Sequence, residues 1–380
     1  MAQRLLSFLL AVLGCGSGFG QHPNVLVGMD NSPNEPSICI NPKNPLEMVA
    51  AANIENLYFS HDGGENWQQT PVSCQWGIWG DPAITVDSAG AFYYFHLSNP
   101  PVGSWIDRII AQKSTDGGQN WSNGSFMGLN GSKAQDKHWP VVDKKTNSIY
   151  TTWTQFDKYG SISPSDSAVI LFSKSTDAGN SWSPAKRISQ FAGNCFDSDQ
   201  TPEGAVPCVG PNGEVYTVWS FDEKIYFDRS TDGGQTWLDQ DIVVSDQPGG
   251  WDYAIPGLSR CNGLPVSACD LSGGPNHGTI YANWTDQRNG PSDTDVWLAK
   301  STDGGKTWKA LEDENVHGDH HVLWLDPVRP GHLINGNDGG VNISYDDGKS
   351  WFKCNSPAVG QFYFVNVDND EPYNVYGGAQ

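Results

Sequence analysis

The chain has 380 residues, with 22 Lys and Arg against 43 Asp and Glu, a formal net charge of −21 at pH 7. That sign excludes a nucleic-acid surface and an anionic membrane as partners, because phosphates and acidic lipids would be repelled. Charged residues make up only 17% while Gly (43), Trp (16), Phe (15) and Tyr (13) abound, which excludes a disordered or coiled-coil chain and fits sheets joined by tight turns.

The first predicted element is a leader. In MAQRLLSFLLAVLGCGSGFGQ, one Arg is followed by an apolar run from Leu5 to Leu13 and then by small residues, the order of a secretory signal peptide. Cleavage after Gly20 assigns residues 1–20 to the signal peptide and 21–380 to one folded domain, secreted, periplasmic or held at the cell surface. The tetrapeptide VLGC, Val12 to Cys15, leaves a lipoprotein anchor through Cys15 as the alternative. The apolar run is too short for a permanent transmembrane segment. In an exported chain Cys195 with Cys208 and Cys261 with Cys269 are the natural disulfide pairs, and no Cys-x-x-Cys or Cys/His cluster suggests zinc.

Beyond the leader the chain repeats itself. Six segments share one template: SHDGGENW (60–67), STDGGQNW (114–121), STDAGNSW (175–182), STDGGQTW (230–237), STDGGKTW (301–308) and SYDDGKSW (344–351). Their starts are 54, 61, 55, 71 and 43 residues apart, a period suited to four-stranded propeller blades. Each box follows a strand such as IIAQKS or KIYFDRS, and upstream lies a strand–turn–strand such as DPAITVDSAGAFYYF or AVPCVGPNGEVYTVW. Chemistry explains the box. Its Asp accepts backbone N–H groups across the turn, its glycines take positive φ, its hydroxyl ties the ends together and its Trp fills the gap between neighbouring sheets.

These boxes resemble the Asp-box (BNR) propellers, the superfamily of sialidases, sortilin-type receptors and several glycoside hydrolases. The resemblance covers residues 36–380 and implies an all-β fold: a β-propeller of four-stranded antiparallel blades, six complete from Glu35 to about Pro357. QFYFVNVDNDEPYNVYGG then supplies two strands of a partial seventh blade, so that either Val25–Met29 completes it or the chain is a fragment. The last 60 residues are more similar to the sortilin-type members, residues 36–310 to the sialidases.

Strand order predicts where function lies. The boxes join the third and fourth strands of each blade, so they belong to the face opposite the long loops, and long loops on a rigid scaffold carry function. Aligning the starts of the first strands gives Glu35, Asp81, His138, Glu203, Asn262 and His320 or His321 as a polar ring at the tunnel mouth. Trp76, Trp79, Trp105, Trp139 and Trp251 fall in or beside the same loops, and aromatic faces beside carboxylates suit a sugar.

Resemblance to sialidases implies three arginines that clamp a carboxylate, a Tyr/Glu nucleophile and an Asp acid/base. The first Arg position is held by Glu35 or Asp81, the second by Trp219, and SDTDV stands where the third would be. Arg108, Arg260 and Arg288 fall on the loop face at other spacings. Asp107 matches the acid/base position, and Tyr253 is the candidate nucleophile near Glu203. A two-carboxylate glycosidase using Asp81, Asp107 or Glu203 is the simpler chemistry. The expected partner is a glycan or glycoconjugate, with a sortilin-like peptide ligand as the alternative. No cofactor is expected. Ca²⁺ at DSD (197–199) or DTD (293–295), and a metal at Asp319, His320 and His321, are weaker readings because acidic turns are usually solvated.

Overall fold

A computed structural model describes residues 25–255, 261–311, 320–326, 329–337, 340–354, 362–367 and 375–379. The expected leader, Cys15 and Arg260 lie outside the described residues, as do the side chains of His320 and His321. No helix occurs among the described residues, so none is long and apolar enough to cross a membrane.

Six antiparallel sheets of four strands each form a six-bladed β-propeller. Within each sheet the strands lie side by side in chain order. The first strands are Asn34–Ile40, Gly80–Val86, Ala134–Val142, Glu203–Val209, Val266–Cys269 and His320–Leu325, and each neighbours the first strand of the next blade. Strands Phe362–Val367 and Val375–Ala379 pair with each other as a separate two-stranded sheet.

The boxes close the third-to-fourth strand turns. In the second blade Ser114 Oγ donates to Asp116 Oδ1 at 2.8 Å and accepts from the Gly118 N–H at 2.9 Å, while Asp116 takes the Asn120 N–H at 3.0 Å. The same bonds recur in the first box from Ser60 to Asn66 and in the last from Ser344 to Ser350. One turn therefore satisfies its own polar groups with Ser and Asp side chains.

The second glycine of the box has a further task. A Cβ at Gly234 would meet the Phe172 ring at 2.3 Å, and one at Gly305 would meet Phe227 at 2.1 Å, each on the third strand of the preceding blade. Box tryptophans fill the same seams. Trp237 packs edge-on to Phe172 at 5.0 Å and Trp308 to Phe227 at 5.2 Å. Apolar residues of adjacent blades form a chain of separate cores, one per seam, rather than one central core.

Neither expected disulfide is formed. Cys195 is buried in the seam between the second and third blades and Cys208 in the seam between the fourth and fifth, so closeness in sequence did not become closeness in space. Cys269 packs against that second seam instead of bonding Cys261.

Candidate functional site

A shared irregularity opens the first strands. Glu35, Asp81 and Lys137 have φ of 50°, 51° and 48°, Gly204 has 71°, and the pairing register slips at each of these points. Left-handed backbone at a bulge costs a non-glycine residue about 1 kcal/mol and re-aims the neighbouring side chains. The bulge also corrects the alignment of the ring. Lys137, not His138, corresponds to Glu35 and Asp81, while Glu203 corresponds to Asp136 one residue earlier.

These strand starts line a cavity of about 350 Å³ in the first three blades. Asp81, Asp136, Lys137 and Glu35 supply its charged wall, and Trp79, Trp105 and Tyr159 its aromatic wall. Trp79 and Trp105 meet edge to face with centroids 5.4 Å apart, and Trp105 meets Tyr159 the same way at 5.5 Å. The Asp81 N–H donates to Asn53 Oδ1 at 2.7 Å, which ties the bulge to the first blade. Lys137 Nζ donates to Asp81 Oδ2 at 3.3 Å, and the Lys137 N–H donates to Asp136 Oδ1 at 2.8 Å.

Charge in the cavity is unbalanced. Burial pushes the Asp136 carboxyl up to about 7, Lys137 draws it partly back, and the Asp81 and Asp197 carboxylates push it further. Burial also raises Glu203 well above its ordinary value, with Asp136 and Asp197 adding to the effect. Glu203 is buried, with the Asp197 carboxyl as its near neighbour. Burial opposes the charge on Lys137, but Asp136, Asp81, Glu203 and Glu35 outweigh it and raise its pKa. Burial raises the Tyr159 phenol too, and its hydroxyl donates to Asp197 Oδ2 at 2.5 Å. One ammonium thus faces several carboxyl groups, of which Asp136 titrates near neutrality and Glu203 is shifted upward.

Of the residues expected from sequence, Glu35, Asp81, Trp79 and Trp105 meet at this cavity, with Glu203 buried beside it. His138 is buried near Phe95, and desolvation lowers its pKa to about 4. Asp107 is gripped by Arg108 through bonds of 2.7 and 2.9 Å, and also accepts from Ser98 Oγ and the Ser104 N–H. Burial opposes ionisation there, but these bonds outweigh it and hold the carboxyl below its usual range, the wrong form for a general acid. Arg108 lies over Phe126 and Trp76, and Arg288 forks onto Asp286 with Trp297 3.9 Å beneath it. Both guanidinium groups are therefore already occupied.

Trp251 is buried, donating to Thr201 O at 3.0 Å, and Tyr253 is buried with its hydroxyl bonded to Thr285. Trp139 is exposed, and Asn262 Oδ1 accepts from the Leu264 N–H at 3.3 Å. In the acidic turns Asp197 is held by Tyr159, Asp199 by the Asp252 N–H and Asp295 by Asn289. Among the described residues no group of three His, Cys, Asp or Glu side chains is placed to hold a metal ion.

The family model described as BNR/Asp-box repeat matches residues 58–69 and 299–310. The chain carries Asp-box repeats on a propeller fold. No curated protein sequence matches it. Its fold is similar to the α-L-arabinofuranosidase Arb93A of Fusarium graminearum in complex with an iminosugar inhibitor, at 14% identity and a TM-score of 0.53 over 85% of this chain and 97% of that one. A PL25 ulvan lyase is similar at 11% identity and a TM-score of 0.50, covering 85% and 84%. The Hadza microbial sialidase Hz136 follows at 14% identity and a TM-score of 0.46, covering 80% and 65%. At such identities the likeness extends to the fold alone.

Sequence reasoning missed Asp136, Lys137 and Tyr159. The stretch AQDKHWP held a usable signal, three consecutive ionisable residues at a strand start, but a one-residue register error selected His138. Tyr159 follows an ordinary loop sequence, QFDKYGS, and only the packing of the third blade against Trp105 brings it to the cavity.

Proposed function

We propose that this propeller binds glycans in the cavity at the mouth of its first three blades and cleaves a glycosidic bond there. The observation that carries this reading is a carboxyl whose pKa is pushed up to about 7, Asp136, in one cavity with the ion-paired Asp81 carboxylate and three aromatic side chains. Asp136 donates its proton to the leaving oxygen as the anomeric C–O bond breaks, and Asp81 offsets the positive charge that develops on the sugar. Water then adds to the anomeric carbon and returns a proton to Asp136. Lys137 positions Asp81 at the cavity wall through their ion pair. The carbohydrate ligands and activities named for the arabinofuranosidase and the ulvan lyase support the choice of substrate class by analogy of fold.

The test is a panel of aryl glycosides, with neuraminides, arabinofuranosides, neutral hexosides and 2-amino-2-deoxyhexosides, turned over by the wild type and by Asp136→Asn. The expected result is turnover of at least one non-acidic glycoside, reduced about 10²–10⁴-fold in the variant. Absence of turnover across the panel, with glycans still bound, would reduce the protein to a lectin-like binder.

Two further features belong to this reading. The leader is taken to export the protein to where free glycans occur. The terminal hairpin is taken as the first half of a seventh blade, a role supported by Ile38 and Ile40, which are 57% and 50% exposed on the first blade's inner strand.

A further inference from the structure

The cavity is unsuited to an acidic sugar. Lys137 is the one cationic side chain lining it among the described residues, and that ammonium is already committed to Asp81. Arg108 and Arg288, the loop-face arginines within the described residues, are forked onto Asp107 and Asp286. Against this single cation stand Glu35 and Asp81 on the wall and Asp197 behind Tyr159. A carboxylate or sulfate entering here would meet like charge with no free guanidinium to receive it.

The aromatic wall points the same way. Trp79 and Trp105 are 40% and 41% exposed, stand nearly perpendicular to one another at 89°, and Trp105 stands at 85° to Tyr159. Perpendicular rings enclose a corner, so a group within it meets more than one aromatic surface. The negative faces of Trp and Tyr attract ammonium groups, and partial desolvation strengthens the attraction. Glu35, exposed at the rim, adds a carboxylate on the solvent side.

From this juxtaposition we propose that the preferred ligand is a cationic glycan, an amino sugar with a free ammonium group, seated against Trp79, Trp105 and Tyr159 with Glu35 as its counter-charge. The proposal rests on the glycan reading above and narrows it to one substrate class. An N-acetylated sugar has the same ring without the charge, which makes it the natural control. The protein's overall charge of −21 also favours approach of such a ligand at low salt.

Calorimetric titration of the full chain at pH 6.5 with a glucosamine tetrasaccharide, its N-acetylated counterpart, sialyllactose and choline tests the proposal. The aminated sugar is expected to bind at least about tenfold more tightly than the N-acetylated one. That gap should shrink in 0.5 M salt, on the order of the screening expected for exposed charges, and in Glu35→Gln and Trp105→Leu, both at exposed positions. Equal or tighter binding of the N-acetylated or sialylated sugar would overturn the cationic preference and leave the glycan site standing. Choline binding as tight as the aminated sugar would also overturn it, since the sugar would then contribute nothing. Failure of every sugar to bind would sink both readings, whereas an aminated preference without hydrolysis would support this one and remove the chemistry from the other.

Discussion

At the residue scale, Asp136 ties stability to pH. Burial and neighbouring carboxylates raise its folded pKa to about 7, above the usual unfolded value of about 4. Between those two pH values the native state holds more protons than the unfolded one, so the contribution of this group to stability falls as pH rises and levels off above about 7. Asp136→Asn removes that penalty. Chemical denaturation should find the variant more stable than wild type at pH 8, by about 1–3 kcal/mol, and the difference should vanish near pH 4. A variant less stable than wild type at pH 8 would mean that Asp136 is held ionised by Lys137. The site would then have the opposite proton inventory.

At the element scale the sequence was most legible in the box. Its Ser, Asp, Gly and Trp act within eight residues, and local hydrogen bonds repeat whatever the distant chain does, as Ser60, Ser114 and Ser344 show. Blade number, strand order and the seam-filling role of Trp237 and Trp308 followed from that regularity. Less legible was the bulge at Glu35, Asp81 and Lys137, because one inserted residue leaves no mark on hydrophobic alternation and yet exchanges His138 for Lys137 at the cavity. The disulfides failed for a related reason: sequence spacing does not say which seam a cysteine enters. The packing of the second box glycine yields a prediction. Gly305→Ala would set a methyl group against Phe227 at a φ of 84°, and should cost roughly 2–4 kcal/mol, measured by urea denaturation. A loss below about 0.5 kcal/mol would show that the seam between the fourth and fifth blades yields easily.

For the whole molecule, the seam architecture makes each blade depend on its neighbours rather than on a common centre. The cavity depends on the same arrangement, since Asn53, Asp81, Lys137 and Tyr159 come from three blades and meet only when those blades are docked. Charge acts at this scale as well. With a net charge of −21, repulsion across the surface should be relieved by screening, so the melting temperature is expected to rise between 10 mM and 300 mM salt at pH 8. A fall would indicate that specific ion pairs such as Lys137–Asp81 outweigh the net repulsion.

Leaving-group dependence tests most directly whether Asp136 is the proton donor of a glycoside-cleaving cavity. Hydrolysis of a matched pair of aryl glycosides, one with a dinitrophenyl leaving group and one with an unactivated phenyl group, would be compared in wild type and Asp136→Asn. A dinitrophenolate departs without protonation and a phenolate does not. The variant is expected to lose at least about a hundredfold on the phenyl glycoside and little on the dinitrophenyl one, with the wild-type rate on the phenyl glycoside declining above pH about 7. Equal losses on both substrates, or no loss on either, would contradict that role.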